Sequence, residues 1–161
     1  MSRIGNKVII LPAGVSVTVA EDNLVSVKGP KGTLTQAVDT DITVEVEGVE
    51  VKVKRPTEQK RHKALHGLYR SLINNMIIGV DAGYKKELEI IGVGYKASAN
   101  NNILELQLGY SHNIFMSIPE EIKITTTAEK GQNPKVILEG IDKELIGSVA
   151  AKIKSLRKVE P

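Results

Sequence analysis

Cysteine and tryptophan are missing from the 161 residues of this chain, and its only aromatic side chains are one Phe and four Tyr. Without thiols there is no disulfide framework, no thiolate metal site and no cysteine nucleophile. The rings at Tyr69, Tyr84, Tyr95, Tyr110 and Phe115 are dispersed along the chain. That dispersal argues against single-strand nucleic-acid binding by stacking, which needs two or three rings on adjacent strands. Long apolar runs are also absent. The longest, Val8 to Leu11, is far short of a membrane span, and the start Met1-Ser2-Arg3 lacks the apolar core of a signal peptide, so a soluble cytosolic protein with no membrane partner is expected. Neither sign of charge dominates: Lys and Arg number 22 against 19 Asp and Glu, a formal +3.

Position is more informative than the total. Residues 36 to 51 hold Asp39, Asp41, Glu45, Glu47 and Glu50 with no base, while 52 to 70 hold Lys52, Lys54, Arg55, Lys60, Arg61, Lys63 and Arg70 against Glu58 alone. A smaller basic group, Lys152, Lys154, Arg157 and Lys158, precedes Glu160. Clusters of this kind are the electrostatic footprint of phosphate binding and equally the mark of a solvated helix face. Basic residues in a last helical turn also complement the helix dipole, which is a sufficient reason for the second group.

Most of the chain has the period of short strands. Val15 to Val19, Leu24 to Val27, Ile42 to Val46 and Val49 to Val53 alternate apolar and polar residues, with Gly48 turning the last pair into a hairpin and Lys28-Gly29-Pro30-Lys31-Gly32 as a turn. After Pro56 the spacing of Leu65, Leu68, Leu72 and Met76 predicts a helix over about 58 to 78, with Thr57 as N-cap and Gly79 as C-cap. On that helix Lys60, Lys63, His66, Arg70 and Asn74 fall opposite the leucines as a cationic strip.

The second half repeats this grammar. Strands are expected at Leu88 to Val93, Ile103 to Leu108, Ile114 to Ile118, Ile122 to Ile124 and Val136 to Leu138. A helix follows, capped by Asp142, with Ile146, Val149, Ala150, Ile153 and Leu156 as its stripe and Ile141 and Ile146 spaced for a hydrophobic staple. An offset of 80 to 85 residues places Ile42 over Ile122 and Thr57 over Asp142. The expected class is α+β: two tandem copies of a small antiparallel-sheet domain, each with one helix packed on the sheet, over residues 1–81 and 82–161.

Signals of catalysis fail on inspection. Gly92-Val93-Gly94-Tyr95-Lys96-Ala97 fits a dinucleotide fingerprint, but the turn-forming Ser98-Ala99-Asn100-Asn101-Asn102 follows where a helix is required. His62 and His66 are four apart, as helical metal ligands can be, yet no third ligand accompanies them and Lys60, Arg61 and Lys63 surround them; polar packing or exposure suits them better. Asp39-Thr40-Asp41 reads as a turn, not an acid–base pair.

Several segments together resemble one family. Ser2-Arg3-Ile4-Gly5, Val27 to Gly32, His66-Gly67 with Asn75-Met76, Gly92-Val93-Gly94-Tyr95, Leu108-Gly109-Tyr110-Ser111-His112 and Val149 to Lys154 occur in the order found in ribosomal protein six of the bacterial large subunit. The resemblance implies a non-enzymatic protein that binds large-subunit ribosomal RNA near the stalk base and the sarcin–ricin loop region. Its partners would be that RNA, neighbouring ribosomal proteins and translation factors docking nearby, with no cofactor, metal or small-molecule substrate. It assigns much of the RNA contact to the second domain, at Gly92, Gly94, Tyr95, Lys96, Gly109, Ser111 and His112 and at Lys152, Lys154, Arg157 and Lys158. The glycines would allow close approach to RNA backbone, and Lys96, Ser111 and His112 would supply donors. Arg3, Lys28, Lys31, Lys60, Lys63 and Arg70 are further candidates from charge. The family continues into a basic, glycine-containing tail, whereas the sequence here ends at Val159-Glu160-Pro161; a trimmed tail is the expectation. From the residues alone, a protein–protein adaptor built on edge strands and the acidic stretch stays open, with a dinucleotide enzyme as a distant third.

Overall fold

Fourteen elements follow the chain in the computed structural model, which describes Arg3 and residues 6–158. Ser2, Ile4 and Gly5 of the first motif and the end at Val159 to Pro161 lie outside the described residues. The chain divides into two compact units, residues 1–83 and 84–161.

The first unit contains β1 (Ile9–Ile10), β2 (Ser16–Val19), β3 (Leu24–Gly29), β4 (Gly32–Ala37), β5 (Thr43–Glu47), β6 (Glu50–Lys54) and α1 (Lys60–Asp81). They form two antiparallel sheets, in the orders β1-β6-β5 and β2-β3-β4. The period-2 alternation sets the inner faces: Val25, Val27, Val51 and Val53 are buried, and the register opposes Val17 to Val27, Val44 to Val53 and Val46 to Val51. Branched side chains facing each other across strands are a favourable unit of sheet packing. Helix α1 covers β3, β4 and β6.

The second unit contains β7 (Tyr84–Glu89), β8 (Lys96–Asn100), β9 (Ile103–Gln107), β10 (Ile114–Ser117), β11 (Lys123–Thr127), β12 (Lys135–Gly140) and α2 (Lys143–Ser155). Its sheets run β10-β9-β8 and β11-β12-β7, and α2 packs on β7 and β12. The duplication is therefore complete: β2-β3-β4 corresponds to β8-β9-β10, and β1-β6-β5 to β7-β12-β11. Detail repeats too. Ile42 N–H donates to Asp39 O and Ile122 N–H to Pro119 O, and the first turn of each unit's three-strand meander holds an asparagine with left-handed backbone, Asn23 at φ 62° and Asn101 at φ 54°. Asparagine tolerates that region better than other side-chain-bearing residues.

Five expectations need correction. Helix α1 starts at Lys60 with Gln59, not Thr57, as N-cap; Thr57 Oγ1 instead accepts from Gln59 N–H at 3.2 Å and holds His62. The helix also runs past Gly79 to Asp81, because Val80 is packed against Gly29, where a Cβ would lie 2.7 Å from Val80 Cγ2, and the left-handed residue is Gly83. The buried face of α1 is His62, His66, Ile73, Met76, Ile77 and Val80, whereas Leu68 is 49% exposed; His66 belongs to the core side, not the cationic strip. Finally, the strand expected at 88–93 spans 84–89, and Ser98 to Asn100 belong to β8, the turn being confined to Asn101-Asn102. Asp142 caps α2 as expected, its Oδ1 accepting from Glu144 N–H at 3.0 Å and Leu145 N–H at 3.4 Å.

Candidate nucleic-acid interface

The two basic clusters meet different fates. In the first unit the acidic stretch folds back on its basic neighbour. Lys52 Nζ reaches Glu47 at 3.8 Å and Glu50 at 4.0 Å, Lys54 pairs with Glu45 at 2.7 Å, and Arg61 grips Asp41 at 2.9 Å and Asp39 at 3.2 Å. Arg55 and Lys63 share Glu58, at 3.0 and 3.5 Å. The Arg55 hydrogen bond is the main reason the Glu58 carboxyl is held below its usual range, and the hydrogen bond and charge of Glu45 raise Lys54. Six net charges in sequence thus become a largely compensated surface.

The histidines of α1 are part of the same network. Arg55 Nη1 donates to His66 Nδ1 at 3.2 Å, so the ring proton sits on Nε2, which donates to Val53 O at 2.6 Å. A guanidinium only donates and a carbonyl only accepts, so the tautomer follows from the partners. His62 contacts Thr57 Oγ1 through Nδ1 and Asp41 Oδ2 through Nε2. Both nitrogens of both rings are engaged, which is the polar packing the sequence favoured over ligation, and among the described residues no cluster could hold a metal.

The remaining first-unit candidates are scattered. Lys60 and Lys63 are exposed in the first turn of α1, while Lys31, whose N–H donates to Val80 O at 3.0 Å, and Lys28 on β3 belong to the other end of the helix. Twenty residues of helix separate the two groups by about 30 Å. Arg70 Nε donates to Lys7 O at 3.2 Å and so fastens the segment before β1; Arg3 is exposed.

The second unit gathers its candidates. Three segments converge: the loop 90–95 between β7 and β8, the loop 108–113 between β9 and β10, and the C-terminal end of α2. Tyr95 is the hub of the two loops, half-buried against the core. A Cβ on Gly92 would lie 2.4 Å from its ring and one on Gly109, at φ 79°, would lie 3.1 Å from Cε1. The structure therefore uses these two glycines to admit a tyrosine ring, whereas Gly94, at φ 74°, has open space where a Cβ would stand. The stretch leads into β8 and not into a helix, so it lacks the element that makes a glycine fingerprint a cofactor site.

Tyr110, within the Leu108 to His112 segment that the resemblance implies is RNA-facing but not among the individual candidates, joins the second loop to the helix. Its hydroxyl donates to Leu156 O at 3.0 Å, the Arg157 guanidinium lies 4.9 Å from its ring centroid, and the His112 ring stacks on it at 5.8 Å and 17°. Ser111 is exposed beside them, as are Lys152, Lys154 and Lys158 on and beyond α2 and Lys96 at the start of β8. None of these four lysines has an ion-pair partner among the described residues. Phe115, 65% exposed, lies on the outer face of β10 with Glu105 opposite it, so that face offers one ring and not a set of them.

A family model described as Ribosomal protein L6 matches residues 11–83 and 91–161, one match in each unit. Among curated proteins, the chain is 66% identical over 161 residues to a Large ribosomal subunit protein uL6 of Cytophaga hutchinsonii, covering all of this chain and 88% of the relative. A protein of the same name from Amoebophilus asiaticus is 61% identical and one from Salinibacter ruber 52%, over the same shares.

Proposed function

Because the chain belongs to the ribosomal protein L6 family, a structural and non-enzymatic family of the large subunit in the cytoplasmic ribosome, we propose that it binds large-subunit ribosomal RNA chiefly through its second unit. Gly94 and Lys96, the loop through Ser111 and His112, and Lys152, Lys154, Arg157 and Lys158 are its contact set, with Tyr95 and Gly92 and Gly109 shaping the two loops. Neighbouring ribosomal proteins complete its surroundings, and its place is near the stalk base and the sarcin–ricin loop region, where translation factors dock; there it supports subunit assembly and translation. The first-unit candidates Arg3, Lys28, Lys31, Lys60, Lys63 and Arg70 make at most secondary contacts.

One observation supports this division of labour: Lys52, Lys54, Arg55, Arg61 and Lys63 are paired with acidic side chains of the first unit, whereas Lys96, Lys152, Lys154 and Lys158 carry no ion pair among the described residues. Lysine on phosphate releases counterions, and these four lysines are not already held by a carboxylate. Charge reversal tests it. Lys96→Glu with Lys154→Glu is expected to reduce incorporation into large subunits at least tenfold more than Lys7→Glu with Lys52→Glu. Equal incorporation of the two doubly substituted chains, at equal melting temperature, refutes the assignment to the second unit.

A further inference from the structure

We infer that the turn Gly92-Val93-Gly94-Tyr95 is an apolar wedge for RNA: Val93, with Ile91 two residues before it, packs on the riboses and base edges of the shallow minor groove of an A-form ribosomal RNA helix. This rests on the RNA-binding reading above and adds to it a contact that charge does not make. The duplication supplies the comparison. In the second unit Tyr95 N–H donates to Gly92 O at 3.3 Å, and Gly94, third in the turn, is at φ 74°. The loop between β1 and β2 repeats this turn as Pro12-Ala13-Gly14-Val15, where Val15 N–H donates to Pro12 O at 3.2 Å and Gly14 is at φ 86°. Left-handed backbone at the third position is what a type II turn demands. The backbones agree and the side chains do not. The tip is Ala13 in one unit and a fully exposed Val93 in the other; Leu11 before the first turn is 8% exposed, Ile91 before the second is 72% exposed, and Lys96 follows where the first unit has Ser16.

Nothing local calls for valine at that tip. Turns favour proline, glycine and short polar residues there, and an exposed branched side chain gains nothing from the fold. The display is also rigid. Ile90 N–H donates to Pro134 O at 2.8 Å, Ile90 and Tyr95 pack on the core of the second unit, and the Tyr95 ring fills the space that Gly92 and Gly109 leave. A tip pinned at both ends loses little freedom on binding. Its surroundings select the partner: neither 90–96 nor 108–113 contains a carboxylate, Lys96 adjoins the turn, and Ser111 and His112 are exposed on the neighbouring loop. An apolar tip among cationic and neutral donors complements a polyanion. Apolar side chains pushed into a minor groove are a recurring device of groove binders, and the wide A-form groove admits a blunt turn.

The test titrates the full chain against full-length large-subunit ribosomal RNA transcribed in vitro, at a series of salt concentrations. Val93→Ser is expected to weaken binding about tenfold with the slope of log affinity against log salt unchanged, because an apolar contact releases no counterions. Adding Ile91→Ser deepens the loss to about thirtyfold. Val49→Ser, which alters an exposed apolar residue in the β5–β6 turn of the first unit, leaves binding unchanged, and all these chains melt with the unsubstituted protein. Unchanged affinity in Val93→Ser, an altered slope, or an equal loss in Val49→Ser overturns the proposal. So does a Val93→Ser chain that binds the free RNA normally yet enters large subunits poorly, which assigns the turn to a neighbouring protein. If Val93→Ser melts early, Val93→Ala, carrying the first unit's tip residue, decides: a loss of about fivefold supports the wedge and no loss overturns it. Failure of the RNA reading itself looks different: the unsubstituted chain then binds without salt dependence, and the wedge falls with it.

Discussion

His66 shows how a residue with the chemistry of a ligand can be wholly structural. It is 1% exposed, with Arg55 donating to one nitrogen and Val53 O accepting from the other. His66→Leu fills similar space but strands a carbonyl and a guanidinium N–H, and is expected to lower unfolding free energy by about 2–4 kcal/mol in denaturant melts. Arg55 also anchors Glu58, whose carboxyl titrates below its usual value of 4.5 chiefly because of the Arg55 hydrogen bond. A depressed carboxylate contributes stability above its unfolded pKa and loses it as pH falls through the folded value. The unsubstituted chain should therefore lose stability faster than Glu58→Gln as pH drops below about 4.5, and parallel acid melts of the two proteins would contradict this.

Among the elements, the two helices differ in how they begin. Asp142 accepts from two backbone N–H groups at the start of α2, while Gln59 at the start of α1 makes no side-chain cap. Asp142→Ala should cost about 1 kcal/mol and Gln59→Ala close to nothing, measured by chemical denaturation. The same contrast explains what could be read from sequence. α2 was legible in cap and stripe because both are local chemistry. The face of α1 is misread because His66, spaced with Lys63 and Arg70 as if on the cationic strip, is buried by partners at Val53 and Arg55. β7 and β8 were hard to place: Tyr84-Lys85-Lys86-Glu87-Leu88-Glu89 is mostly charged, and Lys96 to Asn100 is small and polar, so pairing with β12 and β9 makes them strands. In the candidate interface the glycine loops stood out in sequence, but Tyr110 meets Leu156 across 46 residues, a distance no local spacing encodes.

For the molecule as a whole, a formal +3 understates one region and overstates another. If RNA is held by Lys96, Lys152, Lys154, Arg157 and Lys158 alone, five phosphate contacts at most give a log–log salt slope of about −3.5 to −4.5; recruiting Lys28, Lys31 and Lys60 as well steepens it to roughly −6 to −7. A measured slope in the shallower range is expected, and one in the steeper range would return the first unit to the contact set. The duplication also bears on the order of synthesis. β1 pairs with β6 (Ile9 with Val51), and Gly29 at the β3–β4 hairpin waits for Val80 at the far end of α1, about fifty residues later. During vectorial synthesis neither can settle until its distant partner has left the tunnel, so the early meander must persist with an uncovered side. The second unit imposes the same delay, since Tyr84 of β7 pairs with Gly140 of β12. Each nascent half is thus most in need of a chaperone just before its helix emerges.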